Sequence, residues 1–175
     1  MVNIIIDGKK LQVRDDVTIL QAARENGFSI PTLCYLEGLN EIGACRLCLV
    51  EVKGQHRLVS SCNTKVREGM EISTRSAKVR MARRLNVELI LSQHNCNCPS
   101  CPRNGNCQLQ KVAAQLGVNV ETYPKKFRPD TWDNAFPLNR DETKCVKCMR
   151  CIQVCDQVQN MHVWDLVNTG KRTRV

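Results

Sequence analysis

The chain opens on two short apolar runs. Asn3 to Ile6 and Leu11 to Val13 flank Asp7-Gly8, a pattern that predicts a β-hairpin. Thr18 then precedes Ile19, Leu20, Ala22 and Ala23, with Gln21 three residues after it. That spacing predicts a capping box and a short helix, with Gly27 as its stop. Further on, Val50, Val52, Leu58 and Val59 frame a turn at Gly54 and read as a second hairpin. Hairpins joined to one short helix predict a small α+β unit, a sheet packed on a helix.

Helical spacing takes over from Val79 to Ser92. Met81, Ala82, Leu85 and Leu89 fall on one side, which predicts that this side is buried. Arg80, Arg83 and Arg84 lie off it and read as a solvated face. A further helix is expected from Cys107, where Leu109, Val112, Ala113 and Leu116 stand at i, i+3, i+4 and i+7. Gly117 is its expected cap, and the stripe reads as core packing. From Val118 to Arg140, Pro124, Pro129 and Pro137 break the period, while Tyr123, Phe127, Trp132 and Phe136 supply four aromatics. An extended connector packed on its neighbours is expected there.

Composition changes the picture. Of 175 residues, twelve are cysteine and seven are aromatic (three Phe, two Tyr, two Trp). So many thiols with so few large apolar groups imply stabilisation by disulfides or metal centres. The N-terminus MVNIIIDGKK lacks the pattern of a signal peptide, and no apolar run is long enough to span a bilayer. A cytoplasmic location is therefore expected, where clustered cysteines point to metal or redox chemistry. The formal charge of +9 falls to about +4 or +5 once cluster-bound thiolates are counted. No nucleic-acid motif accompanies it.

The thiols form three sets. The stretch HNCNCPSCPRNGNC offers His94-x3-Cys98-x2-Cys101-x5-Cys107, with Cys96 left over. Soft sulfur selects zinc, copper(I) or iron–sulfur clusters. One His and three Cys suit tetrahedral zinc as well as a cluster loop, so this stretch alone leaves the two open. Before it stands Cys34-x10-Cys45-x2-Cys48-x13-Cys62. Gly43 and Ala44 precede its tight pair, either to let backbone approach an inorganic sulfide or as an ordinary turn. Last comes Cys145-x2-Cys148-x2-Cys151-x3-Cys155, the bacterial ferredoxin run with Asp156 in place of Pro. Three of its cysteines can wrap one cube, and in such runs the fourth ligates a second cluster. No second run follows before Val175. Half of a two-cluster domain, or a piece of something longer, is expected.

In this order the three sets resemble the N-terminal iron–sulfur region of iron-only ([FeFe]) hydrogenases. That region is shared with the large peripheral subunit of NADH:quinone oxidoreductase and with NAD-dependent formate dehydrogenases. The resemblance covers essentially the whole chain. It implies a β-grasp, plant-ferredoxin-like domain over residues 1–78, with a [2Fe–2S] cluster on Cys34, Cys45, Cys48 and Cys62. It implies a small helical domain over 79–117, with a [4Fe–4S] cluster on His94, Cys98, Cys101 and Cys107. After a connector over 118–137, a partial bacterial-type ferredoxin domain over 138–175 would carry a [4Fe–4S] cluster on Cys145, Cys148 and Cys151. Cys155 would serve a second cube whose other ligands are missing, and Cys96 matches no ligand position. Cys155 and the wording CVKCMRCIQVCDQVQ and CPRNGNCQLQ look closest to the hydrogenases.

The implied role is an electron relay in a hydrogenase that catalyses reversible H2 oxidation and proton reduction, NAD(P)-linked or electron-bifurcating. The expected partners are a flavin- and NAD(P)-binding subunit or a ferredoxin, within a hetero-oligomeric complex. The same relay in a formate dehydrogenase or quinone reductase is the first alternative; a zinc-stabilised interaction module is the second. No Gly-rich dinucleotide loop and no nucleophile–base pair is present in the 175 residues, so no catalytic centre is expected in them.

Overall fold

A computed structural model describes residues 1–119 and 140–175. The chain divides into two units, Met1–Asn86 and Val87–Val175. In the first, β1 (Val2–Ile6) and β2 (Lys9–Val13) form the expected hairpin about Asp7-Gly8. Helix α1 (Ile19–Glu25) follows. Strands β3 (Leu49–Val52) and β4 (Val59–Ser60) pair antiparallel, Val50 opposite Val59, as their alternation predicted. The sequence pattern did not reveal β5 (Glu71–Ser73), which holds a single buried apolar residue, Ile72. Yet β5 joins the two hairpins: it runs parallel to β1 and antiparallel to β3, giving the sheet order β2-β1-β5-β3-β4.

One core occupies the space between sheet and helix. Ile4, Ile6, Val50, Val52 and Ile72 of the sheet meet Ile19, Leu20, Ala22 and Ala23 of α1. The predicted capping box is present. Thr18 N–H donates to Gln21 Oε1 at 2.8 Å, and Gln21 N–H donates to Thr18 Oγ1 at 3.2 Å. At the other end Phe28 N–H reaches Ala23 O and Gly27 N–H reaches Arg24 O, which closes a Schellman motif.

Helix α2 (Ala77–Leu91) starts two residues earlier than its apolar spacing suggested, because Ser76 caps it through Val79 N–H at 3.2 Å. Its orientation corrects the expectation more deeply. Met81, Leu85 and Leu89 are 74%, 48% and 47% exposed. The buried stripe is Val79, Arg83, Val87 and Leu91, an i, i+4 row interrupted by a charge. Arg80 and Arg84 are solvated as expected, but Arg83 is not: it is 6% exposed. The reason is polar. Arg83 Nη2 donates to Leu49 O at 2.7 Å, and Asn86 Nδ2 donates to Arg46 O at 3.3 Å. Unmet backbone carbonyls on the sheet side draw these donors inward.

In the second unit, helix α3 (Gln108–Gln115) begins after Cys107 and buries Leu109, Val112 and Ala113 of the expected stripe, while Leu116 stands half-buried at its C-cap. Val118 N–H to Ala113 O and Gly117 N–H to Ala114 O close it. Helix α4 (Arg150–Gln157) follows. The aromatic connector lies outside the described residues, apart from Val118 and Asn119.

Candidate iron–sulfur sites

The first nest is assembled from loops that the sheet holds in place. Cys45 and Cys48 lie in the turn entering β3, Cys62 two residues beyond β4, and Cys34 in the loop after α1. The chain turns sharply between the tight pair, with Arg46 at φ 53°. The four sulfurs sit as two pairs, Cys34–Cys45 at 3.4 Å and Cys48–Cys62 at 3.3 Å. All four residues are buried, and the thiols of both pairs interact electrostatically.

Backbone and serine donors fix these positions. Ser61 Oγ and Ser61 N–H both donate to Cys48 O, at 2.7 and 3.1 Å. Asn40 Nδ2 donates to Cys34 O at 2.7 Å. The N-terminus of α1 reaches the same segment, since Leu20 N–H bonds Ser61 O at 2.9 Å and Ile19 N–H bonds Thr64 O at 2.8 Å. Gly43 has φ +66°, and a Cβ there would stand 3.3 Å from Ser60 Oγ and Asn63 Nδ2. Its smallness therefore serves a close approach to the β4 turn.

Within each pair the two thiols are driven apart. A hydrogen bond donated by Cys34 pulls the Cys45 thiol down to about 5, aided by the N–H groups of Leu33 and Leu47 and opposed by burial. A hydrogen bond from Cys62 likewise lowers Cys48 to about 7. Cys34 and Cys62 move the other way, because each holds the shared proton and is desolvated.

The second nest is a cavity of about 290 Å³ lined by His94, Cys96, Cys98, Cys101 and Cys107, closed by Leu91, Leu109, Ala113 and Val118. The end of α2 delivers His94, whose N–H donates to Leu91 O at 3.2 Å. Its Nδ1 is shielded from water. A single 3-10 turn, Cys98–Ser100, places Cys98 and Cys101, and Cys107 stands at the N-cap of α3. The structure thus brings together the predicted His and three Cys, and it adds Cys96, whose thiol donates to His94 O at 3.2 Å.

The third nest is a wrap around Cys145, Cys148 and Cys151, whose thiols interact. Lys147 and Met149 take left-handed φ of 54° and 63°, which folds the run back on itself. Lys147 N–H donates to Cys145 Sγ at 3.4 Å. Burial pushes the Cys151 thiol upward. Cys155, on α4, is 3% exposed and accepts from Val163 N–H at 3.2 Å.

Among the described residues no three His, Cys, Asp or Glu side chains converge on a single metal-ion position. Paired sulfurs with inward N–H groups suit sulfide-bridged iron better than a lone tetrahedral ion. Residues 1–77 match the 2Fe-2S iron-sulfur cluster binding domain, and residues 83–121 match the NADH-ubiquinone oxidoreductase-G iron-sulfur binding region. The chain is 40% identical, over 97% of its length, to the NADP-reducing hydrogenase subunit HndD of Solidesulfovibrio fructosivorans, of which it covers 30%. It is 33% identical, over 99% of its length, to the NAD-reducing hydrogenase HoxS subunit gamma of Cupriavidus necator, of which it covers 74%.

The chain belongs to the family of iron–sulfur electron-transfer modules found in NAD(P)-linked hydrogenases and complex I-like subunits. A crystal structure of an NAD+-reducing [NiFe]-hydrogenase in the H2-reduced state contains a chain of the same fold. The TM-score is 0.88 at 26% identity, covering 99% of this chain and 73% of that one. Other curated relatives are longer, and the chain spans 21% to 30% of four of them. The module carries [2Fe–2S] and [4Fe–4S] clusters, and the zinc alternative falls with that assignment. No described helix is long and apolar enough to cross a membrane.

Sequence reasoning missed Arg83. Its signal was present, as the fourfold row Val79, Arg83, Val87, Leu91, but apolar content favoured the opposite face.

Proposed function

We propose that the chain is the electron relay of an NAD(P)-linked hydrogenase, passing single electrons between a flavin- and NAD(P)-binding subunit or a ferredoxin and a hydrogen-activating site outside residues 1–175. In this reading the first unit is a β-grasp domain whose Cys34, Cys45, Cys48 and Cys62 hold [2Fe–2S]. His94, Cys98, Cys101 and Cys107 hold one [4Fe–4S], and Cys145, Cys148 and Cys151 hold another. Cys155 is a ligand toward a second ferredoxin-type cube. When bound, such clusters supply one-electron chemistry with little rearrangement. The chain's own residues keep water out, orient N–H groups toward sulfur, and set local charge.

The observation that carries the reading is the packing of thiols into three consecutive nests, in a chain that aligns over 99% of its length with a hydrogenase subunit. The wording around Cys107 and Cys145 favours the [FeFe] class. A second reading, relay of a [NiFe] enzyme, is favoured by the solved relative, whose chain this one covers for 73% of its length. Oxygen-free purification of the native complex tests both. Brown protein with iron, sulfide and hydrogen-dependent NAD(P) reduction is expected. Nickel in the same complex selects the second reading over the first. Hydrogen inactivity with formate- or quinone-linked turnover overturns both.

A further inference from the structure

Arg83 is a buried cation that lacks a counter-charge of its own. It is 6% exposed. Its Nη2 donates to Leu49 O at 2.7 Å, one residue after Cys48. Its Nε is shielded from water, and no hydrogen-bond partner stands against it among the described residues. The acid facing it, Asp7, is committed elsewhere: its two carboxylate oxygens accept from Thr74 N–H at 2.7 Å and Thr74 Oγ1 at 2.5 Å. A desolvated guanidinium without an ion-pair partner is costly, and proteins keep such groups where another charge offsets them. The other group facing it is Cys48, a thiolate once it ligates a cluster. Burial drives Arg83 toward neutrality, while Cys48 and then Asp7 oppose that.

We propose that Arg83 is the fixed counter-charge of the [2Fe–2S] centre, a positioning residue that raises its reduction potential and makes it an easier electron acceptor. The inference rests on Cys48 being a ligand of that centre. Sulfur-ligated [2Fe–2S] carries net negative charge, and reduction adds one more, so a nearby buried cation stabilises the reduced form more than the oxidised one. Little water intervenes to screen it. Arg80 lies on the same helix but is exposed, and its Nη1 is turned to Arg75 O. It serves as the control.

A merely structural Arg83 would be a staple holding α2 to β3 through Leu49 O. The two roles separate in an EPR-monitored redox titration of the full chain, reconstituted without oxygen. Arg83→Gln removes the charge and keeps a donor. We expect it to retain the [2Fe–2S] signal and lower the reduction equilibrium constant about tenfold, a fall of about 59 mV for one electron. Arg83→Lys should stay within about threefold of wild type, and Arg80→Gln should do the same. An unchanged potential in Arg83→Gln, with the signal present, overturns the inference and leaves the ligand reading intact. Wild-type chain without a [2Fe–2S] signal overturns both. Should Arg83→Gln fail to load, Arg83→Met, which keeps the buried aliphatic length without the charge, takes its place with the same expected fall, and an unchanged potential there overturns the inference.

Discussion

Helix α2 offers a test of which face of an amphipathic pattern is inside. Val79 and Met81 are two residues apart in the same unit, Val79 fully buried and Met81 74% exposed. Val79→Ala deletes the equivalent of two methylenes, about 1.6 kcal/mol of transfer free energy. An incompletely collapsed cavity adds about 1 kcal/mol. The expected cost is therefore about 2–3 kcal/mol, or about 10–20 °C in melting temperature for a unit of this size. Met81→Ala removes a larger side chain but returns little surface from the interior, and should stay within about 0.5 kcal/mol. Guanidinium unfolding of both variants, followed by far-UV circular dichroism at matched cluster loading, measures the pair. If Met81→Ala costs as much as Val79→Ala, the apolar row is inside and Arg83 is outside.

Thr18→Ala should cost about 1 kcal/mol through loss of the α1 cap and speed bleaching of the [2Fe–2S] chromophore. The N-terminus of α1 holds Ser61 and Thr64 on either side of Cys62; Thr18→Ser should restore both, and a stable chromophore in Thr18→Ala would sever that link. His94→Cys should keep a [4Fe–4S] signal and lower its potential, since a thiolate adds negative charge where a neutral imidazole had none; an equal or higher value would contradict the assignment. Tyr35 is pushed up to about 12 by burial first, then by Glu37 and Glu41. Folding thus favours its neutral form. The stability it lends is complete below about 10, the unfolded value, and is lost as pH rises toward about 12. The phenolate absorbance obtained as wild type minus Tyr35→Phe should appear only near the upper value, and a midpoint at 10 would refute the burial argument.

The candidate sites were legible in the sequence because the spacing of their thiols is local. Cys-x2-Cys turns, the x5 loop to Cys107 and the x2-x2 wrap of Cys145 to Cys151 are set by chain geometry over a few residues, and the structure lines one cavity with His94, Cys98, Cys101 and Cys107 and brings Cys145 and Cys148 within electrostatic reach of Cys151. Caps behave alike: Thr18 with Gln21, and Gly117 after α3, act within one helical turn. What tertiary structure alone decided is non-local. β5 exists because β1 and β3 offer it ladders from 66 residues before and 20 residues before, respectively, as the pairs Ile6–Ile72 and Val52–Ile72 show. The α2 face was chosen by two side-chain donors, Arg83 and Asn86, meeting the carbonyls of Leu49 and Arg46 more than thirty residues away. Apolar periodicity measures what water rejects from a helix face; it cannot register a carbonyl on another element that needs a donor. That unmet need turned a charged residue inward beside Cys48 and left Met81, Leu85 and Leu89 outside.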